Sequence, residues 1–272
     1  MTAARRRVCI TRHLTAGGDV DIVSESANTA RVVAAREPEL YGFVWQGKQY
    51  EGLVCNAMEY VWSFGGSLSG GRAEVEAAAR ALGFMRALVT DGVTPAFVTT
   101  LTEEPSRILF GKGRAVFLRN WPYAWKLFER EDSMVRGKVG VMSLPSAPGQ
   151  LPASTLGGWQ LGVNAFSKRP REAEQLVAYL ARPSSQKALA LAYGYSPSRR
   201  SLYEDAALLS AQPFVASLRD IFDAARSRPV TPYYMELTQG LQAELSAVVA
   251  GVRTPTQALA TISPMIESVA VQ

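Results

Sequence analysis

The sequence predicts an α/β layered fold, and three observations carry that expectation. Short β-rich apolar runs alternate with longer amphipathic stretches, the pattern of strands covered by helices. Gly and Pro punctuate the chain at most changes of pattern. The composition, 47% hydrophobic and 19% charged over 272 residues, is that of a globular chain of one or two domains and not of a disordered or fibrous one.

The elements follow in order. A short helical stretch over 28–36 stops at Pro38. The run 40–45 reads as a strand, and 46–48 as a loop. Residues 50–64 read as a helix closed by Gly65 and Gly66, a C-cap signal. The clearest amphipathic helix is 74–89, where Val75, Ala78, Leu82, Met85 and Val89 recur at three- and four-residue spacing before Asp91-Gly92. A short helix at 106–110 turns through Gly111 and Gly113 into a strand at 115–119. Further strands are expected at 138–144, bounded by Pro145 and Pro148, and at 160–166, with Gly162 inside it. The rest is helical: 171–181 with Leu176, Val177 and Leu180 on one face, 184–193 ended by Gly194, then 214–225 and 236–250. Thr254-Pro255-Thr256-Gln257 is a capping box with Pro at the first helical position, and it opens the last helix.

Several classes of function fall away on composition. His13 is the only histidine, and Cys9 and Cys55 are the only cysteines. Ser-His, Cys-His and most metal-hydrolase chemistry therefore lacks its base or ligands, no metal site is expected, and no disulfide framework is possible. A net charge of +5 is spread without a dense basic stripe, so no nucleic-acid partner is expected. No apolar run is long enough to span a bilayer. Arg12, His13 and Asp19 interrupt any apolar stretch after Arg5-Arg6-Arg7, so no export signal is legible at the N-terminus.

Large aromatics gather in Gly- and Pro-bounded segments: Trp45 with Tyr50; Trp121, Tyr123 and Trp125; Trp159 after Gly157-Gly158; and Tyr233-Tyr234 after Pro232. A sugar has an apolar C–H face and a rim of hydroxyls. Aromatic rings cover the face, while carboxylates, Arg and backbone amides bond the rim. Trp45, Trp62 and Trp125 read better as core, whereas Trp121 and Trp159 sit in loops.

These residues also carry a resemblance. The stretch from Tyr41 to Asn56 (YGFVWQGKQYEGLVCN), Trp62 to Gly66 (WSFGG), Phe110 to Gly113 (FGKG), Asn120 to Trp125 (NWPYAW), Gly157 to Asn164 (GGWQLGVN) and Arg228 to Tyr233 (RPVTPY) resemble the family 1 extracellular solute-binding proteins of sugar ABC importers, in order and in spacing. The likeness covers about residues 28–272 and is nearest to the branch associated with trehalose, maltose and related disaccharides. It implies a type II periplasmic-binding-protein fold that closes on a sugar by hinge motion, with no catalysis, no cofactor, and importer permease subunits as partners. Such proteins are periplasmic or cell-surface lipoproteins. By the likeness, Tyr50 and Glu51 start a helix at the cleft and Glu51 accepts sugar O–H bonds. Trp121 and Tyr123 form the stacking platform, Gly157 and Gly158 let the backbone approach the sugar beside Trp159, and Arg228 offers its planar fork of donors. Residues 28–157 and 213–272 would be the second lobe, 158–212 part of the first, and 1–27 match nothing. Relative to the family pattern, most of the first lobe is missing, so Leu161, Val163, Phe166, Leu176, Val177 and Leu180 are expected to lie partly exposed.

The competing class is a glycoside hydrolase, which needs two carboxyl groups on either side of the scissile bond. The available acids, Glu103-Glu104 and Glu129/Glu131-Asp132, read as helix-terminal or loop charges.

Overall fold

The computed structural model describes residues 40–270. The expected helix over 28–36, the segment 1–27 with Cys9 and His13, and the N-terminal arginines lie outside the described residues. Two parallel strands, β1 (Tyr41–Val44) and β2 (Ala115–Leu118), pair in the register Tyr41↔Ala115, Phe43↔Phe117 and Val44↔Leu118. Between them run α1 (Glu51–Ser63), α2 (Arg72–Thr90), a 3-10 turn (Ala96–Thr100) and α3 (Glu103–Gly111). After β2 come α4 (Ala124–Phe128), α5 (Pro170–Leu180), α6 (Pro183–Tyr193), a 3-10 turn (Arg200–Glu204), α7 (Ala206–Ala211), α8 (Val215–Asp223), α9 (Tyr234–Ala250) and α10 (Pro255–Ala270). No helix among the described residues is long and apolar enough to cross a membrane.

The main core lies among α1, α2, α9 and α10, where Leu53, Val61, Leu82, Leu241, Leu245 and Ile262 are each at most 1% exposed. Helix α1 is buried nearly all round, which its apolar sequence from Leu53 to Trp62 permits. It ends where Gly65 takes φ +72°, a left-handed position that glycine occupies without strain. At α9 the stop is Gly251, at φ +79°, and the Arg86 guanidinium donates to the Val249 carbonyl at 2.7 Å. The α10 capping box is formed: Gln257 accepts from the Thr254 N–H at 2.9 Å and Thr254 accepts from the Gln257 N–H at 3.2 Å. Trp45 is fully buried, with its indole N–H on Thr94 at 3.2 Å. Trp62 packs on the main core, and Trp125 on Phe214 at 4.8 Å between ring centroids.

Two expected strands do not form. Residues 138–144 and 160–166 are irregular. A strand exists only against a neighbour that answers its N–H and C=O groups. Beyond β1 and β2, the described residues offer a single parallel bridge, Thr155 to Arg226. The side chains of 160–166 accordingly find no core: Leu161 is 57% and Phe166 89% exposed. Helix α5 forms as expected, yet none of its residues is buried, and Leu176 is 58% exposed. The helical content therefore exceeds what the strand pattern suggests, around one small sheet.

Candidate ligand cleft

A cavity of about 1450 Å³ runs along the first turn of α1, the loop after β2, the 154–159 segment and Arg228. Tyr50, Glu51, Trp121, Tyr123, Gly157, Gly158, Trp159 and Arg228 all line it. The chain brings them together from four separate stretches, and their geometry resolves into two polar centres and an aromatic wall.

The first centre is Glu51, at the start of α1, where the helix dipole favours a carboxylate. One oxygen accepts from the Arg228 guanidinium and, at 2.6 Å, from the Tyr234 hydroxyl. The other accepts from the Thr238 hydroxyl on α9. Arg228 also lies over the Tyr234 ring, 5.6 Å from its centroid. Glu51 and Arg228, expected to serve a ligand separately, thus hold each other. Burial, together with the bond to Glu51, pushes the Tyr234 phenol well above its ordinary pKa.

The second centre forms the buried floor of the cavity. Arg119 makes a bidentate pair with Glu59, at 2.8 and 2.6 Å, and a third bond to the Gln46 side chain at 3.0 Å. Their side chains are only 4% and 5% exposed. Burial opposes the Arg119 charge, but Glu59 outweighs it and holds the guanidinium above its usual pKa. Glu59 also accepts the Thr155 N–H at 3.0 Å, and Thr155 donates its hydroxyl to the Cys55 carbonyl at 2.9 Å. The floor therefore fixes the 154–156 segment on α1. Burial raises the Cys55 thiol to about 11, which keeps it protonated and unreactive at neutral pH.

The wall stands on the floor. Arg119 lies 4.3 Å from the Trp121 ring centroid. Gly157 abuts the same indole: a Cβ built there would meet its Cη2 and Cζ3 at 3.0 and 3.1 Å. Gly157 thus makes room for Trp121 itself, while Gly158 has open space around it. The Tyr50 ring lies over Gly52, where a Cβ would sit 2.1 Å from its hydroxyl. Glu103 accepts from the Tyr50 hydroxyl at 2.8 Å and from the Trp121 indole N–H at 3.2 Å. Glu104 accepts from Tyr123 at 2.8 Å and pairs with Arg107 at 2.6 Å. Arg107 and then Tyr123 hold the Glu104 carboxyl below the usual range. Burial and these acids push both phenols up. Trp159 stands apart at 95% exposure.

Reasoning from the sequence missed Tyr234 and Thr238 as partners of Glu51, and Glu59 and Arg119 as the floor. Tyr234 was visible only as half of an aromatic pair, and nothing local to Glu59 marks a partner 60 residues away. Glu103 and Glu104 read as helix-terminal charges, which they are, but both also face the cavity.

A family model described as bacterial extracellular solute-binding protein matches residues 24–215. The chain belongs to that family. It is 40% identical over 251 residues to a probable ABC transporter-binding protein of Deinococcus radiodurans, covering 88% of this chain and 60% of that protein. It is 31% identical over 153 residues to a probable amino-acid ABC transporter periplasmic-binding protein of Sinorhizobium fredii, covering 54% of this chain and 33% of the relative. Among solved structures, maltose-bound MalE3 of T. maritima superimposes with a TM-score of 0.84 at 38% identity, over 90% of this chain and 64% of that one. The fold is therefore that of the MalE-like periplasmic binding proteins, and this solute-binding chain spans less than two thirds of the Deinococcus relative and of MalE3. Those relatives are binding proteins, not enzymes.

Proposed function

We propose that this solute-binding protein is the carbohydrate-binding component of an ABC importer, taking up a neutral sugar, a disaccharide such as maltose or trehalose, outside the cytoplasm and delivering it to permease subunits. Tyr50, Glu51, Trp121, Tyr123, Gly157, Gly158, Trp159 and Arg228 would form its binding surface. One observation carries the reading. Among the described residues, the four arginines that line the cavity are each in an ion pair: Arg228 with Glu51, Arg119 with Glu59, Arg200 with Asp223 and Arg219 with Glu204. No lysine lines it. A free cation favours the anionic group of an amino acid or a phosphorylated sugar, whereas a neutral polyol takes ring faces and hydroxyl partners. Trp121 and Tyr123 supply the faces; Glu51 and Arg228 supply the partners.

In this reading, residues 28–157 with 213–272 form one lobe and 158–212 belong to the other. The parallel passage of 154–156 beside Arg226, joined by bonds of 2.9 and 2.8 Å, lies close to where they would hinge.

Tryptophan emission and calorimetry with maltose, trehalose, sucrose, monosaccharides, glutamate and leucine test the proposal. At least one sugar should give a saturable change and the amino acids none. Trp121→Ala should weaken that binding roughly tenfold, since an aromatic contact contributes about 0.5–1.5 kcal/mol beyond its area. Saturable binding of an amino acid without sugar binding would overturn the reading.

A further inference from the structure

We propose that Glu103 is the positioning residue of the aromatic wall, a carboxylate staple that fixes Trp121 and Tyr50 in stacking orientation before any sugar arrives; this rests on the sugar-binding reading above.

Glu103 opens α3, and its two oxygens go to two different segments. Oε2 accepts from Tyr50, the residue that precedes α1, and Oε1 accepts from the Trp121 indole in the loop after β2. Its backbone carbonyl accepts from the Asn120 side-chain NH₂ at 3.0 Å, and the Asn120 side-chain oxygen in turn accepts the Trp121 backbone N–H at 2.8 Å. One residue thus ties together three parts of the cavity lining that are distant in the chain.

Neither ring is held in orientation by the core alone. Arg119 contacts the Trp121 ring and Gly157 limits its travel, but neither contact fixes the indole by a hydrogen bond. The Glu103 bond to Nε1 supplies that constraint. Gly52 leaves the Tyr50 ring free space above the first turn of α1, and the bond from its hydroxyl to Glu103 selects one position there. A carboxylate suits the task because it only accepts, and both partners only need to donate. Glutamine would keep one neutral oxygen for the indole and turn its NH₂ to the Tyr50 hydroxyl, replacing two charge-assisted bonds by weaker neutral ones. The neighbouring charges are already engaged: Arg119 with Glu59, and Glu104 with Arg107 and Tyr123. Glu103 is half-buried, so its replacement changes orientation more than it changes the core. Ordering side chains in advance lowers the cost of binding.

The test uses the full chain, labelled with ¹⁵N, and the variants Glu103→Gln and Glu103→Asp. The Trp121 indole N–H resonance, assigned by its loss in Trp121→Phe, should shift upfield in Glu103→Gln while the resonances of the fully buried Trp45 and the exposed Trp159 stay in place. Affinity for whichever sugar of the panel (maltose, trehalose, sucrose or a monosaccharide) binds the parent chain should fall about five- to tenfold. In a Tyr50→Phe/Trp121→Phe background the same substitution should have no further effect on affinity, a non-additivity that a general structural role would not give. Glu103→Asp, which keeps the carboxylate, should retain fold and fall between the two, so misfolding of the glutamine variant would not hide the result. An unmoved indole resonance overturns the proposal whatever the sugars do. A moved resonance with unchanged affinity overturns the link to binding. Failure of the parent chain to bind any sugar of the panel above overturns the sugar reading on which the link rests.

Discussion

Helices α9 and α5 carry the same kind of sequence signal and meet opposite fates. In α9, Leu237, Leu241, Leu245 and Val248 recur on one face and are all buried. In α5, Leu176, Val177 and Leu180 recur in the same way, and none is buried. The difference lies outside either helix. Helix α9 packs on α1, α2 and α10, whereas α5 meets α6 and the irregular 160–166 stretch leaves its apolar residues open. Periodicity states which face seeks a partner; only the remainder of the fold states whether one is there.

The floor of the cleft sits at the α1 edge of the well-packed region, and breaking it should give the largest effect. Arg119→Met leaves Glu59 buried without its counter-charge, which costs about 3–5 kcal/mol. Urea denaturation should show that loss, and the double variant Glu59→Leu/Arg119→Met should recover most of it. Equal destabilisation by the single and double variants would show that packing at these positions, not charge, dominates. Next in size is Leu241→Ala, at the centre of the α9 face. A fully buried leucine truncated to alanine costs about 2–5 kcal/mol by lost transfer energy and cavity formation. A loss below about 1 kcal/mol would mean that the four-helix core is looser than its burial indicates.

The same contrast explains what was legible in the sequence. Helices announced themselves because their stop and start signals are local: Gly251 and Gly194 take left-handed positions, and Thr254 with Gln257 closes its box within four residues. The strands 138–144 and 160–166 were misread because alternation and apolar content are local, while a ladder is not. For the cleft, aromatic residues in Gly/Pro-bounded loops pointed to Trp121 and Tyr123, and Glu51 stood at a recognisable helix start. Its pairings did not stand out, although Arg228 itself did. Arg228 is 177 residues from Glu51 and Thr238 is 187, and no spacing rule spans such distances. Glu103 and Glu104 were read by their helix-terminal position, which is correct but says nothing of what their side chains accept.

The smallest effect on stability should come from the α5 side, and there the informative quantity is size. Leu176 and Tyr179, three residues apart on one helix face, are 58% and 54% exposed, and Phe166 nearby in sequence is 89% exposed. Single exposed apolar residues are ordinary, but several within one short segment favour contact between copies of the chain. Leu176→Lys removes little burial, so urea denaturation should register less than about 0.5 kcal/mol. The charge should nevertheless oppose association, because a lysine desolvated against an apolar face has no counter-ion there. Light scattering across a concentration series should therefore show the parent chain growing in apparent mass and Leu176→Lys growing less. Leu241→Ala should do the opposite, losing stability and gaining mass as core surface becomes exposed. If instead Leu176→Lys costs as much as Leu241→Ala, α5 is packed in solution against a surface that the described residues do not provide, and the contrast between the two helices dissolves.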